Sequence, residues 1–145
     1  MILLPPETRF ALRANDINRR AAASAETTEP DPAPALKLFN PLGAATWLAT
    51  ELREDGDTLF GLADLGFGCP ELGYFSLSEI RAVRLPYGLW IERQPGFETP
   101  FPLSVWADTA RRAGSILWAE TILRRAAERG ADPDLPHRSG EPDGG

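Results

Sequence analysis

Apolar residues recur at spacings of three and four early in the chain, and Phe10, Ala14, Ile17 and Ala21 fall along one line of a helix. Arg9, Arg13, Asp16 and Arg20 fall along another. The pattern predicts a helix over 6–22, with Pro6 suited to its first turn and Glu7 placed where the helix dipole favours a negative charge. The expected orientation is the apolar line inward and the charged line in water. Residues 23–34 have no apolar period, and Pro30, Pro32 and Pro34 at alternate positions block both helix and ladder pairing. Two forms stay open for this stretch, a mobile linker and an extended polyproline-like strap.

Three short runs of strand formers follow, over Leu36–Phe39, Thr46–Leu52 and Thr58–Leu65. Asp55-Gly56 signals a two-residue hairpin loop between the last two. Such a loop puts Leu52 opposite Leu59, Thr50 opposite Gly61 and Leu48 opposite Ala63 on a core face. Glu51–Phe60, Ala49–Leu62 and Trp47–Asp64 then pair on the other face. Gly66–Gly73 reads as a tight glycine-rich bend with an exposed rim, after which Tyr74-Phe75 resume an extended run. Ser76 and Glu79 have capping-box spacing ahead of a short helix near Leu77–Val83, which Pro86 ends. Leu89–Arg93 is a fourth strand candidate, followed by a proline-punctuated loop over Pro95–Pro102.

Residues 103–129 carry the longest helical pattern, from Ser104 as cap to Gly130 as stop. Leu103, Trp106, Ala110, Ala113 and Leu117 form one stripe, and Gly114 invites a bend. Trp118, Ile122, Arg125 and Arg129 form a second line. A single apolar face spans only about 100° or slightly more, so the second line must meet something besides the same core. The first helix, a second copy of the chain, or a foreign partner can fill that role. These elements predict an α+β fold, with a small, mainly antiparallel sheet packed by a long C-terminal helix and an N-terminal helix. A single domain is expected over 1–130. Residues 131–145 lack a core-forming pattern and read as a disordered acidic tail.

Composition narrows the function. With 145 residues, 43% apolar and 25% charged, the chain can bury a real core without staples. Fifteen bases against 21 acids give a net charge of -6. Four of those acids and one base lie in 131–145, which leaves 17 acids and 14 bases, or -3, over 1–130. A mildly acidic body argues against binding driven by neutralising phosphates, so no direct contact with nucleic acid is expected. No apolar run approaches the ~20 residues of a membrane span, and the first residues lack the basic lead of a secretory signal. Cys69 is the only cysteine, which together with these points suggests the cytoplasm. Lys37 is the only lysine among the fifteen bases.

Candidate chemistry is sparse. His137, the only histidine, lies in the tail, so the body has no Ser-His-Asp triad and no histidine metal site. Glu51, Asp64 and Glu71 can converge at one end of a sheet, where carboxylates hold Mg²⁺ or Mn²⁺ or share acid/base work. Against that, no lysine or histidine stands near them. Asp64 and Glu71 have backbone N–H groups to satisfy in the glycine-rich turn, and Glu51 is either exposed or paired with an arginine. Gly66-x-Gly68 lacks the third glycine of a dinucleotide loop, and Cys69, without a base, reads as a small buried or half-buried thiol. No metal and no cofactor are therefore expected. Trp47 and Trp106 fall on core stripes. Trp90, Trp118, Ile122 and Arg125 are the candidate contact residues for a partner, with homodimerisation through the Trp118 face as one form of it.

The segments Lys37-Leu38-Phe39-Asn40-Pro41, Ala45–Leu52, Phe60–Leu77 and Pro102-Leu103-Ser104 together resemble the bacterial family catalogued as domain of unknown function 2958. The resemblance runs over roughly residues 3–115. It implies an accessory role in plasmids, phage-like and conjugative elements, and it implies no reaction. Three functions follow in order: a non-enzymatic accessory protein of bacterial mobile elements that binds a protein partner; an inhibitor of host defence (anti-restriction or anti-CRISPR) acting by acidic mimicry; and a carboxylate-based metal-dependent hydrolase using Glu51, Asp64 and Glu71.

Overall fold

Alternating side chains on β2 (Thr46–Leu52) face two separate apolar cores, and the rest of the chain is arranged to cover both. The structure is a computed structural model and describes residues 2–130, so the expected acidic tail lies outside the described residues. Strands β1 (Leu36–Phe39), β2, β3 (Thr58–Asp64) and β4 (Glu71–Ser76) run as a meander, and the short β5 (Glu92–Arg93) returns beside β1. The sheet is antiparallel throughout, in the order β4-β3-β2-β1-β5. Leu36, Leu38, Ala49, Leu52 and Leu59 share one core with Leu12 of α1 (Pro6–Ser24) and with Leu77 and Ile80 of α2 (Leu77–Ala82). Leu48 and Leu62 face the other, beneath α3 (Leu103–Ala113) and α4 (Ile116–Arg129). The α+β class with helices at both ends of the chain is as expected, and the helices divide between the two faces of the sheet.

Local signals placed most elements. Ser76 Oγ accepts the Glu79 amide 3.2 Å away and starts α2. The expected long helix is two helices. Gly114 takes the left-handed conformation at φ +89° and ends α3, and Ser115 Oγ then accepts the Trp118 amide at 3.0 Å to begin α4. The candidate strand at Leu89–Arg93 narrows to Glu92–Arg93, because the turn Pro86–Gly88 occupies its approach. Of the two forms open for the proline-rich stretch, the structure holds the strap. The Pro32 carbonyl accepts the Leu103 amide at 3.0 Å, and Asp31 accepts both the amide and the hydroxyl of Ser104. Asp31 thereby supplies the cap that Ser104 was expected to provide.

Two expectations about faces are overturned. The β2–β3 register starts as predicted, with Leu52 opposite Leu59 and Glu51 opposite Phe60. A bulge at Thr50 then shifts it by one, so Ala49 faces Gly61, Leu48 faces Leu62, Trp47 faces Ala63 and Thr46 faces Asp64. The bulge brings backbone so close to Gly61 that a Cβ there would stand 1.8 Å from the Leu48 carbonyl oxygen. The hairpin loop spans four residues, Glu54–Asp57, and closes on the bond from the Arg53 amide to the Thr58 carbonyl at 2.8 Å. The second reversal concerns α1. Leu12 and Asp16 are buried, while Phe10 is 77% and Ile17 51% exposed. The helix turns Leu12, Arg13 and Asp16 toward the sheet, leaves Arg9 exposed and Arg20 half in water, and carries its apolar line outward.

Candidate functional site

The polar residues on the inward side of α1 meet a matching demand on β2. The bulge frees the Thr50 carbonyl, which accepts from Asn15 Nδ2 at 2.9 Å, and the Leu52 carbonyl accepts from Arg13 Nη1 at 2.7 Å. Asp16, 1% exposed, accepts from Arg13 Nη1 at 2.7 Å and Arg53 Nη1 at 2.9 Å. Arg20 stands 3.2 Å and Arg19 3.4 Å from the same carboxylate. Glu51, also buried, accepts from Arg19 Nε at 2.8 Å, with Arg53 at 3.6 Å. Burial pushes the Asp16 carboxyl up, but the hydrogen bond from Arg13 and the charges of Arg20 and Arg53 outweigh it and hold it below its ordinary value. Glu51 raises Arg19 in turn, first through their hydrogen bond. Arg53 also donates to the Tyr74 hydroxyl at 2.7 Å and stacks 4.8 Å from that ring. A cleft of 280 Å³ opens beside this network between Phe60, Tyr74 and the strap. Its arginines are already committed to Asp16 and Glu51, so their role is to dock α1.

The opposite end of β2 is organised by one acid. Asp64 is fully buried, and its two carboxylate oxygens accept the Gly66 amide at 2.8 Å and the Ile116 amide at 2.9 Å. It ties the end of β3 to the glycine-rich turn and to the first residue of α4, where a negative charge suits the helix dipole. Gly66 at φ +92° and Gly68 at φ +83° let the turn double back, with Gly66 against Ala44 of the β1–β2 loop. This corner carries large apolar side chains in water. Phe67 is 81% and Trp118 62% exposed, and Leu42, Leu65 and Leu117 are exposed beside them in the same loops and first helical turn. Ile122 and Arg125 continue the exposed surface along α4.

A third feature lies at the other edge. Lys37, buried, donates to Glu120 Oε2 at 2.6 Å across 83 residues of sequence. The pair lines a 450 Å³ cleft with Phe97, Phe101, Trp106 and Arg124. It pins α4 to β1, the strand next to the edge strand β5.

The carboxylates singled out from the sequence do not assemble. Glu51 faces Phe60 at one end of β2, whereas Asp64 faces Thr46 at the other. Glu71 pairs with Ala63 and so lies on the sheet face opposite Asp64. Among the described residues no group of three or more metal-ligating side chains is placed to hold an ion. Cys69, expected to be at least half-buried, is exposed in the turn. The four contact candidates fall on two surfaces. Trp118, Ile122 and Arg125 share α4, while Trp90 sits beside Arg84, Leu3 and Ile91 on the side of the first core. The first helix does not cover Trp118, because α1 docks on the other face of the sheet. Sequence reading passed over Leu65 and Phe67 as contact residues. The available signal was two large apolar side chains in a turn where polar residues are the rule. Lys37 had a signal too, as the lone lysine.

A family match covers residues 3–117 and carries the description Protein of unknown function (DUF2958). No curated protein and no solved structure matches the chain. Among the described residues no helix is long and apolar enough to cross a membrane.

Proposed function

We propose that this chain, which belongs to the DUF2958 family, works by binding a protein partner through the apolar corner built on Asp64. The observation that carries this is the exposure of Leu65, Phe67, Leu117 and Trp118 together at one end of the sheet, on backbone that Asp64 holds in place. Exposed apolar area of this kind is costly in water and marks contact surfaces. The adjoining surface of α4 adds Arg125 and Arg129. The favoured partner therefore presents apolar side chains rimmed by acids. An accessory role in mobile elements enters this proposal from the family resemblance alone. Acidic mimicry is the weaker reading, since residues 1–130 carry a net charge of only -3. The separation of Glu51, Asp64 and Glu71 along and across the sheet weighs against the three-carboxylate hydrolase.

A photo-crosslinking residue at Leu117, introduced in the native host, tests the reading. The expected result is a discrete covalent adduct that disappears in both Phe67→Ala and Trp118→Ala, with far-UV circular dichroism unchanged. An adduct of equal yield in both variants refutes the assignment of this corner.

A further inference from the structure

The α1 helix presents its apolar line to solvent. Phe10, Ala14, Ile17 and Ala21 follow at steps of four, three and four, which is the seam repeat of a two-helix coiled coil. We infer that this seam is the interface of a homodimer in which two copies of α1 pack antiparallel about a two-fold axis between Ala14 and Ile17.

The size order along the seam selects the orientation. In the antiparallel register Phe10 lies against Ala21 of the second copy, and Ala14 lies against its Ile17. Every layer then pairs a large side chain with a small one, which fills space evenly. A parallel pair would stack Phe10 on Phe10 and Ala14 on Ala14, leaving one layer overfilled and the next empty. The two-fold makes the surface self-complementary, as an isologous contact requires.

Charge permits the same arrangement. Arg13 and Arg20 flank the seam and would repel their counterparts if they lay along it. Both guanidiniums instead turn inward to Asp16, at 2.7 Å and 3.2 Å. The ionic network that docks α1 on the sheet thus clears its outer face. The seam runs less than the length of a 19-residue helix, about 28 Å. A contact of that extent falls below a standard interface, so the dimer exchanges and depends on concentration.

Sedimentation velocity of the full chain over a concentration series tests this, with Ile17→Glu, Phe10→Glu and Trp118→Ala beside the parent. The expected result is a reversible monomer–dimer equilibrium, weakened at least about tenfold by either glutamate and unchanged by Trp118→Ala. Both α1 positions are exposed, so the variants keep the parent's urea midpoint, which is measured alongside. Register is tested with Phe10→Cys and Ala21→Cys combined in a Cys69→Ser background. A short bismaleimide should join copies of this double variant and leave the Phe10→Cys single variant unlinked. A parent that stays monomeric up to millimolar concentration overturns the inference, as does a dimer that Trp118→Ala dissociates and Ile17→Glu does not. A monomeric parent that sediments with anionic phospholipid vesicles, but not as Ile17→Glu, assigns the seam to a membrane surface and overturns it equally. Loss of the dimer in the α1 variants leaves the crosslink at Leu117 unaffected, because Leu117 lies on the other face of the sheet, whereas a dimer that depends on Trp118 would appear in that crosslink as a second copy of the chain.

Discussion

Replacing Asp16 by Asn removes one charge at nearly constant shape, and the cost follows from what that carboxylate holds. It is 1% exposed and is the common acceptor for Arg13, Arg19, Arg20 and Arg53. Removing one partner of a buried ionic group costs about 3–5 kcal/mol when the opposite charges stay buried. Here Arg13, Arg19 and Arg53 are about a quarter exposed and Arg20 about half, so water recovers part of the loss. The expected loss is about 2–3 kcal/mol, a large share of the total stability of a domain this size. Urea unfolding at neutral pH, followed by far-UV circular dichroism, should show it as a lower midpoint at unchanged slope. Arg20→Ala should lose under about 1 kcal/mol, because its guanidinium is half in water. A double-mutant cycle between Asp16→Asn and Arg53→Met should give a coupling of about 1 kcal/mol or more. The sign with pH is determined by the lowered carboxyl. Its contribution is fully present above the ordinary value of 3.8 and is lost as pH falls through the lower folded value, so parent and Asp16→Asn converge only below that point. A variant that loses no more than Arg20→Ala, or a gap that closes well above the carboxylate range, would refute the docking role.

Asp64→Ala should lose about 2–3 kcal/mol in the same assay, since it strands the buried Ile116 amide and frees the turn amide of Gly66. Gly61→Ala should fail to fold or unfold at the lowest denaturant, because its Cβ would stand 1.8 Å from the Leu48 carbonyl oxygen and 2.8 Å from Ala49 Cα. A soluble, cooperatively folded Gly61→Ala protein would show that the bulge is wrongly placed. Asp55 should titrate at about 2 by carboxyl-carbon NMR, because the Thr58 hydroxyl and the Thr58 and Asp57 amides bond its ionised form. Its contribution to stability is present above the ordinary carboxylate value and lost as pH falls toward 2, and Thr58→Val should move the titration upward.

Period, turn chemistry and caps determined by themselves that this chain has an N-terminal helix, a run of antiparallel strands and a helical C-terminal part. They also placed Ser76 as a cap, a turn beginning at Gly66, and Trp106 in a core, although the expected bend to Gly73 ends earlier, because Glu71–Ser76 pair with β3 as β4. The reach of that reasoning ended where a choice between faces depended on distant residues. Along α1 the sequence shows two lines and cannot rank them. What holds the polar side of α1 inward lies on β2, where the Thr50 carbonyl at the bulge accepts from Asn15 and Glu51 accepts from Arg19. The bulge was hidden because a strand carries the same side chains with or without the extra residue, and one step of register exchanges the faces beyond it. Asp64 was legible as a turn residue from its neighbour Gly66, but its second partner, Ile116, lies 52 residues on. Burial of that charge, and the exposed corner built on it, became fixed only when both faces of the sheet were covered.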